Sequence, residues 1–149
     1  TVVLTQIVGE FSEKAEANQL EMVVECPQPP VEIYVDGRHL WRIIDNLMGN
    51  ICKYAQPGTR VYITLEKFHG MVIMTFRNIS KDRLKMTSEE LFGRFVRGDS
   101  SRNTEGHGLG LSIAKSLTEL MHGNLAVQMD GDLFKVILSF EEYQEDKKQ

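Results

Sequence analysis

Two pairs of segments with alternating apolar and polar residues constrain the fold of this chain more than any other feature. In the first pair, RVYITLEKF and MVIMTFR flank His69 and Gly70, and in the second, NLAVQM and LFKVILSF flank residues 130–132. A period of two, interrupted by a short polar turn, is typical of a β-hairpin with one buried face. The sequence therefore predicts two hairpins and a sheet that is mostly antiparallel.

Three other segments have the helical spacing of apolar residues. They run to about Asn18, from about Arg38 to Ala55, and from about Gly108 to Met121. Asp36 precedes the second helix as a candidate N-cap, and the segments LEMVVEC and VEIYV predict further strands. The apolar face of the third helix is predicted to contain Leu109, Ile113, Leu117, Leu120 and Met121.

Composition excludes several classes of function. The formal net charge of −4 leaves no basic excess to neutralise the phosphates of nucleic acid. No apolar run reaches the length of a membrane-spanning helix, so we expect no direct membrane insertion. Cys26 and Cys52 lack CxxC spacing and are predicted to be core thiols. We expect residues 1–149 to form a single α+β domain with a solvated tail at 141–149, cut from a longer parent protein.

The helix predicted near residues 38–55 separates apolar from polar side chains. One arc contains Leu40, Ile43, Ile44, Leu47, Met48, Ile51 and Ala55, and the other contains Arg42, Asn46, Gly49, Asn50 and Lys53. Asn50 and Lys53 are one turn apart, so an amide oxygen and an ammonium group can reach the same phosphate and its metal ion. A solvated polar face is the alternative interpretation.

Residues 78–105 form a long polar stretch between the hairpins, with almost no helical pattern. Connections of this length inside a compact domain are usually lids, binding loops or disordered segments. The stretch is therefore a candidate lid, with a flexible surface insert as the alternative.

The glycine run GHGLGL, residues 106–111, directly precedes the third helix. Gly106, Gly108 and Gly110 allow the backbone to approach a ligand closely, and the first amides of a helix are unpaired donors at the positive end of its dipole. We therefore expect an anion there, most simply a phosphate. The backbone amide of His107 would serve this site, and a catalytic role for its ring is the alternative.

Three segments in this order, DNLMGNICKY, ELFGRFVRGDSSRNTEG and GHGLGLSIAKSLTELMHG, resemble the ATP-binding catalytic domain of bacterial sensor histidine kinases. The resemblance covers nearly the whole chain. It implies a two-layer α/β sandwich of the Bergerat type, with a mixed, mostly antiparallel sheet packed on helices. ATP and Mg²⁺ would lie between the helices and the lid at about 78–105.

The resemblance also implies roles for the polar arc of the second helix. Asn50 would bind Mg²⁺ through its side-chain oxygen, Lys53 would pair with a phosphate, and Tyr54 would line the nucleoside. Asn46 would assist the phosphates. It stands where related gyrase-type and chaperone-type ATPases have a glutamate that activates water, and an amide cannot act as that base. The chain therefore fits phosphoryl transfer with limited hydrolysis.

The lid and the glycine run would complete the implied site. Phe92 and Phe95 match the family's phenylalanine box, and Arg94 and Arg97 stand beside them. Arg97 would reach the outer phosphate as it leaves, so Lys53 and Arg97 are the expected catalytic residues. The segment that closes over the triphosphate would consist of Gly106, His107, Gly108, Leu109, Gly110 and Leu111.

One motif of the family is absent from this chain. The family usually has DxGxG after the second strand of the first hairpin, and its aspartate accepts a hydrogen bond from the adenine amino group. Here the strand continues into RNISKDRL. Asn78 stands nearest to that aspartate, and its amide oxygen would accept the same hydrogen bond more weakly than a carboxylate.

The resemblance implies partners outside the chain. The phosphoryl group would pass to a histidine on dimerisation and phosphoacceptor helices that precede Thr1, and then to an aspartate of a response regulator. The chain would be a cytoplasmic domain of a parent anchored in the bacterial cell membrane. Two alternatives remain: a degenerate nucleotide-binding module without transferase activity, and a serine-protein kinase of the anti-sigma type, against which the missing glutamate weighs.

Overall fold

The computed structural model describes residues 2–26, 33, 35–81 and 107–142. Its helices are α1 (Val2–Glu10), α2 (Ser12–Ala17), α3 (Gly37–Tyr54) and α4 (His107–Leu120). Its strands are β1 (Glu21–Glu25), β2 (Arg60–Phe68), β3 (Met71–Ile79), β4 (Asn124–Asp130) and β5 (Leu133–Glu141).

The five strands form one sheet in the order β1-β2-β3-β5-β4. β1 runs parallel to β2, and all other neighbours are antiparallel. His69 and Gly70 join β2 to β3 with φ angles of 49° and 77°, the left-handed conformations that favour a two-residue hairpin turn. The two predicted hairpins and the mostly antiparallel sheet are therefore confirmed.

Helices cover one face of this sheet. Side chains at alternating positions are buried, namely Val72, Met74, Phe76 and Asn78 in β3 and Phe134, Val136, Leu138 and Phe140 in β5. Every residue of the apolar arc predicted for α3 is buried as well. Because the helices and the sheet bury these faces against each other, the expected two-layer α/β sandwich is confirmed.

The predicted N-cap precedes α3. The backbone N–H of Arg38 donates to Asp36 Oδ1 at 2.9 Å, and a guanidinium nitrogen of Arg38 lies 3.5 Å from Oδ2. These two hydrogen bonds hold the pKa of the Asp36 carboxyl below its usual value. The cap fixes where α3 begins, and the apolar arc then determines which side of the helix faces the core.

The first predicted helix is divided in two. Phe11, with φ −92° and ψ 2°, separates α1 from α2, and α2 ends at Ala17, next to the predicted end near Asn18. In the predicted strand VEIYV, Ile33 forms an antiparallel bridge with Glu142. Residues 31, 32 and 34 of that segment lie outside the described residues.

The buried face of α4 differs from the predicted one. Leu111, Ala114 and Thr118 are fully buried, whereas Leu120, which was assigned to the apolar face, is 64% exposed. The Thr118 hydroxyl donates to the carbonyl of Ala114 at 2.7 Å, so this polar side chain enters the core with its donor satisfied. Leu117 and Met121 do pack against the core, as predicted.

Two strands extend beyond their predicted ends. β3 includes Asn78 and Ile79, the first two residues of the candidate lid, and β5 includes Glu141 from the predicted tail. The remainder of the lid from residue 82 onward, and residues 143–149 of the tail, lie outside the described residues.

The chain beyond β3 is held by backbone hydrogen bonds. The N–H of Ser80 donates to the carbonyl of Asp132 at 2.8 Å, and the N–H of Lys81 donates to the carbonyl of Tyr54 at 3.0 Å. Ser80 and Lys81 are therefore fixed to the second hairpin and to the end of α3.

The two cysteines are free thiols, and neither is strongly exposed. Cys52 is buried and Cys26 is half-buried. Burial raises the pKa of the Cys52 thiol, since it disfavours the charged thiolate.

Within the described ranges, no helix combines the length and the apolar character needed to cross a bilayer.

Candidate functional site

A pocket opens between α3, α4 and the middle of the sheet. It is lined by Leu47, Asn50, Ile51, Tyr54, Phe76, Asn78, Ser80, Leu111, Phe134 and Val136. The four residues from α3 are at positions 47, 50, 51 and 54, the i, i+3, i+4, i+7 spacing of one stripe of a helix. Four of the residues predicted for the site, Asn50, Tyr54, Asn78 and Leu111, are thus brought together from three separate elements.

Asn78 is the most deeply buried polar residue of this lining. It is 4% exposed and lies opposite Phe134 in the pairing of β3 with β5. Among the described residues its carboxamide makes no hydrogen bond, and no charged side chain belongs to the pocket lining. The Asn78 carboxamide opens onto the pocket, where it can both donate and accept hydrogen bonds. A ligand in the pocket would supply the missing partners.

Ser80 also lines the pocket, although the sequence did not single it out. It follows Asn78 by two positions, and residues two apart in an extended segment point to the same face. That alternation was the available signal, but position 80 lies in the stretch that was assigned to the lid.

The start of α4 lies against the polar arc of α3. A Cβ built on Gly110 would be 3.8 Å from Asn50 Oδ1 and 3.9 Å from the Cβ of Asn46. The Asn46 Nδ2 atom is buried and has no hydrogen-bond partner. Two asparagine side chains therefore adjoin the N-terminus of a helix, where backbone N–H groups have no intrahelical acceptor.

Lys53 lies in the last turn of α3, at the solvent side of the pocket. Its side chain is exposed, and its Nζ atom is 5.4 Å from the centroid of the Tyr54 ring. This distance is within the range of a cation–π contact. The contact places a positive charge next to a residue that lines the pocket.

The glycine run is helical where the structure describes it. α4 begins at His107, next to the predicted start near Gly108, so the backbone of 107–111 is helical, where the resemblance implied a segment that closes over the triphosphate. Leu111, at the end of this stretch, and Ala114 are buried in the core. Arg97, Gly106 and the phenylalanine box lie outside the described residues, and so do the side chains of 107–109.

The donor set around the pocket limits how a metal ion could be held. Among the described residues, no group of three or more His, Cys, Asp and Glu side chains could hold an ion without a ligand. Mg²⁺ commonly takes few protein oxygens and completes its shell with water and substrate phosphates. The Asn50 amide oxygen fits that pattern of coordination.

Comparison with known proteins places these features in context. Residues 35–144 match the family described as histidine kinase-, DNA gyrase B- and HSP90-like ATPases. The chain is 32% identical over 140 residues to the sensor histidine kinase RppB of Synechocystis sp.. This alignment covers 91% of the chain and 31% of RppB, so the chain spans about a third of that relative.

Solved structures with the same fold are also histidine kinases. The catalytic domain of histidine kinase ThkA matches with a TM-score of 0.79 and 19% identity, over 94% of this chain and 90% of that one. Full-length ShkA in complex with AMPPNP matches with a TM-score of 0.74 and 23% identity, over 95% of this chain and 30% of that one. At these identities the likeness establishes the fold, which is the Bergerat sandwich.

Proposed function

Because the chain belongs to the family of histidine kinase-, DNA gyrase B- and HSP90-like ATPases, we propose that its pocket binds ATP with Mg²⁺. We further propose that the protein donates the γ-phosphoryl group to a histidine on a separate phosphoacceptor domain. The observation that carries this proposal is the pocket itself, which joins Asn50, Tyr54 and Asn78 beside the start of α4.

The base would occupy the apolar part of the pocket. Phe76, Leu111 and Val136 supply buried apolar walls, and the unpartnered carboxamide of Asn78 lies among them. Tyr54 adds an aromatic ring at the end of the α3 stripe. A flat heterocycle with a polar edge matches this combination of walls and hydrogen-bonding groups.

The phosphates would extend along α3 toward the start of α4. Asn46 and Asn50 adjoin Gly110 there, and the first N–H groups of α4 are donors without intrahelical acceptors. Lys53 supplies positive charge on the same helix. Because Gly110 has no side chain, space remains beside the two asparagines. A larger residue at this position would compete with a phosphate for that space.

Asn50 would give its side-chain oxygen to Mg²⁺, and the phosphates and water would supply the other ligands. When bound, Mg²⁺ would offset the negative charge that builds up on the transferring phosphoryl group. Since the described residues contain no acidic cluster for the ion, we expect metal binding to depend on the nucleotide.

Catalysis would rest on positioning and charge. Asn46 cannot accept a proton from water as a carboxylate does, so ATP would be held without rapid hydrolysis. Lys53, and Arg97 from the lid, would stabilise the charge that develops as the phosphoryl group moves. A histidine presented by another domain would then be the acceptor.

The proposed partners lie in a longer parent. RppB is named a sensor histidine kinase, and the chain spans 31% of it. We therefore assign to the parent the dimerisation and phosphoacceptor helices, a response regulator as the next acceptor, and an anchor in the bacterial membrane. Residues 1–149 would be a single catalytic domain on the cytoplasmic side.

A second candidate function is nucleotide binding without transfer. It is favoured by Asn78, a neutral amide where the family usually has an aspartate. Phosphorylation of the parent's own histidine would decide between the two functions.

Calorimetric titration with MgATP tests the binding site. Asn50→Ala should lower the affinity for MgATP by about 10- to 100-fold, as removal of a metal-site contact commonly does. Asp45→Ala is the matched control, because Asp45 is exposed on the same helix and does not line the pocket. Unchanged affinity of Asn50→Ala would mean that the asparagines form only a solvated face.

Incubation with radiolabelled ATP tests the transfer step. The chain alone should bind nucleotide without acquiring acid-labile phosphate, and label should appear when the upstream helical segment is restored. Label on the chain alone would contradict a separate phosphoacceptor and would make His107 a catalytic candidate.

A further inference from the structure

The hydrogen-bonding edge that Asn78 offers to the pocket differs in kind from that of a carboxylate. A carboxylate only accepts hydrogen bonds, whereas a carboxamide carries an acceptor oxygen and a donor nitrogen side by side. Asn78 is 4% exposed, lines the pocket, and makes no side-chain hydrogen bond among the described residues. Nothing described in the structure therefore fixes which end of the amide faces a ligand.

The two classes of purine present opposite edges to such an amide. A 6-aminopurine has a donor at the 6-amino group beside an acceptor at N1, and a 6-oxopurine has an acceptor at O6 beside a donor at N1. A half-turn about the Cβ–Cγ bond exchanges the amide oxygen and nitrogen of Asn78, and torsions of this type have broad, roughly two-fold minima. One side chain can thus pair with either edge.

The remaining polar groups of the lining do not select one edge. Besides Asn78 they are Asn50, Tyr54 and Ser80, whose amide and hydroxyl groups can both donate and accept hydrogen bonds. Among the residues that the structure describes, the lining contains no Asp, Glu, Lys, Arg or His. A fixed charge would favour one polarity at the base edge, and the described part of the lining has no such charge.

We propose that the pocket accepts 6-oxopurine nucleoside triphosphates as well as ATP, through the reversible amide of Asn78. This inference rests on the proposed binding of nucleotide in this pocket. It extends the substrate class from ATP to purine nucleotides with either group at the 6-position.

Calorimetric titration of the 149-residue chain with ATP and with ITP, each with Mg²⁺, tests the proposal. ITP is the probe because it has the 6-oxo edge without the 2-amino group of GTP. The affinities for the two nucleotides should agree within about tenfold, since each forms hydrogen bonds of the same kind. A greater preference for ATP would overturn the inference and leave the proposed function in place, and binding of neither nucleotide would overturn both.

Substitution of Asn78 tests whether this side chain contacts the base of both ATP and ITP. Asn78→Leu keeps the branched shape of the side chain and removes its hydrogen-bonding groups, so it should weaken the binding of ATP and ITP by the same factor, about tenfold. If the Asn78→Leu protein does not fold, Asn78→Ala is used in its place. Asn124→Ala, at an exposed position on β4, is the control and should change neither affinity. Loss of ATP affinity with unchanged ITP affinity would overturn the proposal.

Discussion

Gly110 of α4 lies against Asn50 of α3, at a distance that would place a Cβ on residue 110 only 3.8 Å from Asn50 Oδ1. This separation is an ordinary van der Waals contact, so the position has room for a methyl group. It has no room for a branched side chain pointing the same way unless the two helices move apart. Ligand binding at the polar arc of α3 should therefore be sensitive to substitution of Gly110.

We expect Gly110→Ala and Gly110→Val to separate folding from binding. Alanine should keep or raise stability, since replacing glycine within a helix can contribute up to about 1 kcal/mol. Valine should abolish MgATP binding, because its branches would fill the space beside Asn46 and Asn50. Thermal unfolding and calorimetric titration measure the two effects. Full MgATP affinity in a folded Gly110→Val protein would show that the phosphates do not pass this point.

Gly123 is required for close packing between the end of α4 and β5. A Cβ at this position would be 2.5 Å from Phe140 Cε1 and 2.9 Å from the carbonyl oxygen of Ser139. Gly123→Ala should therefore lower the free energy of unfolding by about 1–3 kcal/mol, the usual cost of overpacking. Urea denaturation measures the change.

The matched control for Gly123 is Gly49→Ala. Gly49 is in α3, and a Cβ there would meet nothing within 4 Å. This substitution should leave stability unchanged or raise it through helix propensity. Equal destabilisation by the two substitutions would contradict the packing argument.

The N-cap of α3 should give the domain a specific dependence on pH. The pKa of Asp36 is lowered from 3.8 by its hydrogen bonds to Arg38, so the folded state favours the carboxylate. The resulting stability is present above 3.8 and is lost as the pH falls through the lower folded-state pKa. Asparagine at position 36 still caps a helix but does not titrate.

The measurement compares the unfolding free energy of the wild type and Asp36→Asn across acid pH. The advantage of the wild type should shrink as the carboxylate becomes protonated. Curves that stay parallel throughout this range would show that Asp36 contributes no charge-dependent stability.

Cys52 should be protected from thiol reagents in the folded protein. It is buried, and burial raises the pKa of its thiol. Both the access of the reagent and the fraction of reactive thiolate are therefore lower. A maleimide should react with Cys26 in the native state and with Cys52 only after unfolding. Mass spectrometry with Cys26→Ser as the control distinguishes the two thiols. Rapid native labelling of Cys52 would contradict its burial.

The parts of the fold that could be predicted are those with a repeated pattern. Every residue of the apolar arc predicted for α3 is buried, and the period of two predicted both hairpins. α4 was harder because its buried face includes Thr118, whose hydroxyl is satisfied within the helix, while Leu120 is left exposed. Gly9 precedes the break at Phe11 by two residues, but an isolated glycine inside a helical pattern is a weak indication of a helix end.

The candidate site was predictable in part from a helical pattern and in part from the family resemblance. The polar arc placed Asn50, and the resemblance implied Tyr54 and Asn78, the last of them at the start of the candidate lid. The three residues meet in one pocket. Ser80 was missed because a single polar residue beyond a strand looks like the loop that follows it. Its role in the lining depends on the backbone hydrogen bond from Ser80 to Asp132, a contact between distant segments that no local pattern encodes.

The two ends of the connection between β3 and α4 are both fixed to α3. Lys81 donates to the carbonyl of Tyr54, and Gly110 packs beside Asn50. The entropy of closing a connection between fixed ends grows slowly with its length, and each doubling costs only about 0.6 kcal/mol. Insertions and deletions between these anchor points should therefore be inexpensive for the sandwich. The length of this connection is free to diverge among related proteins while the pocket between α3, α4 and the sheet keeps its shape.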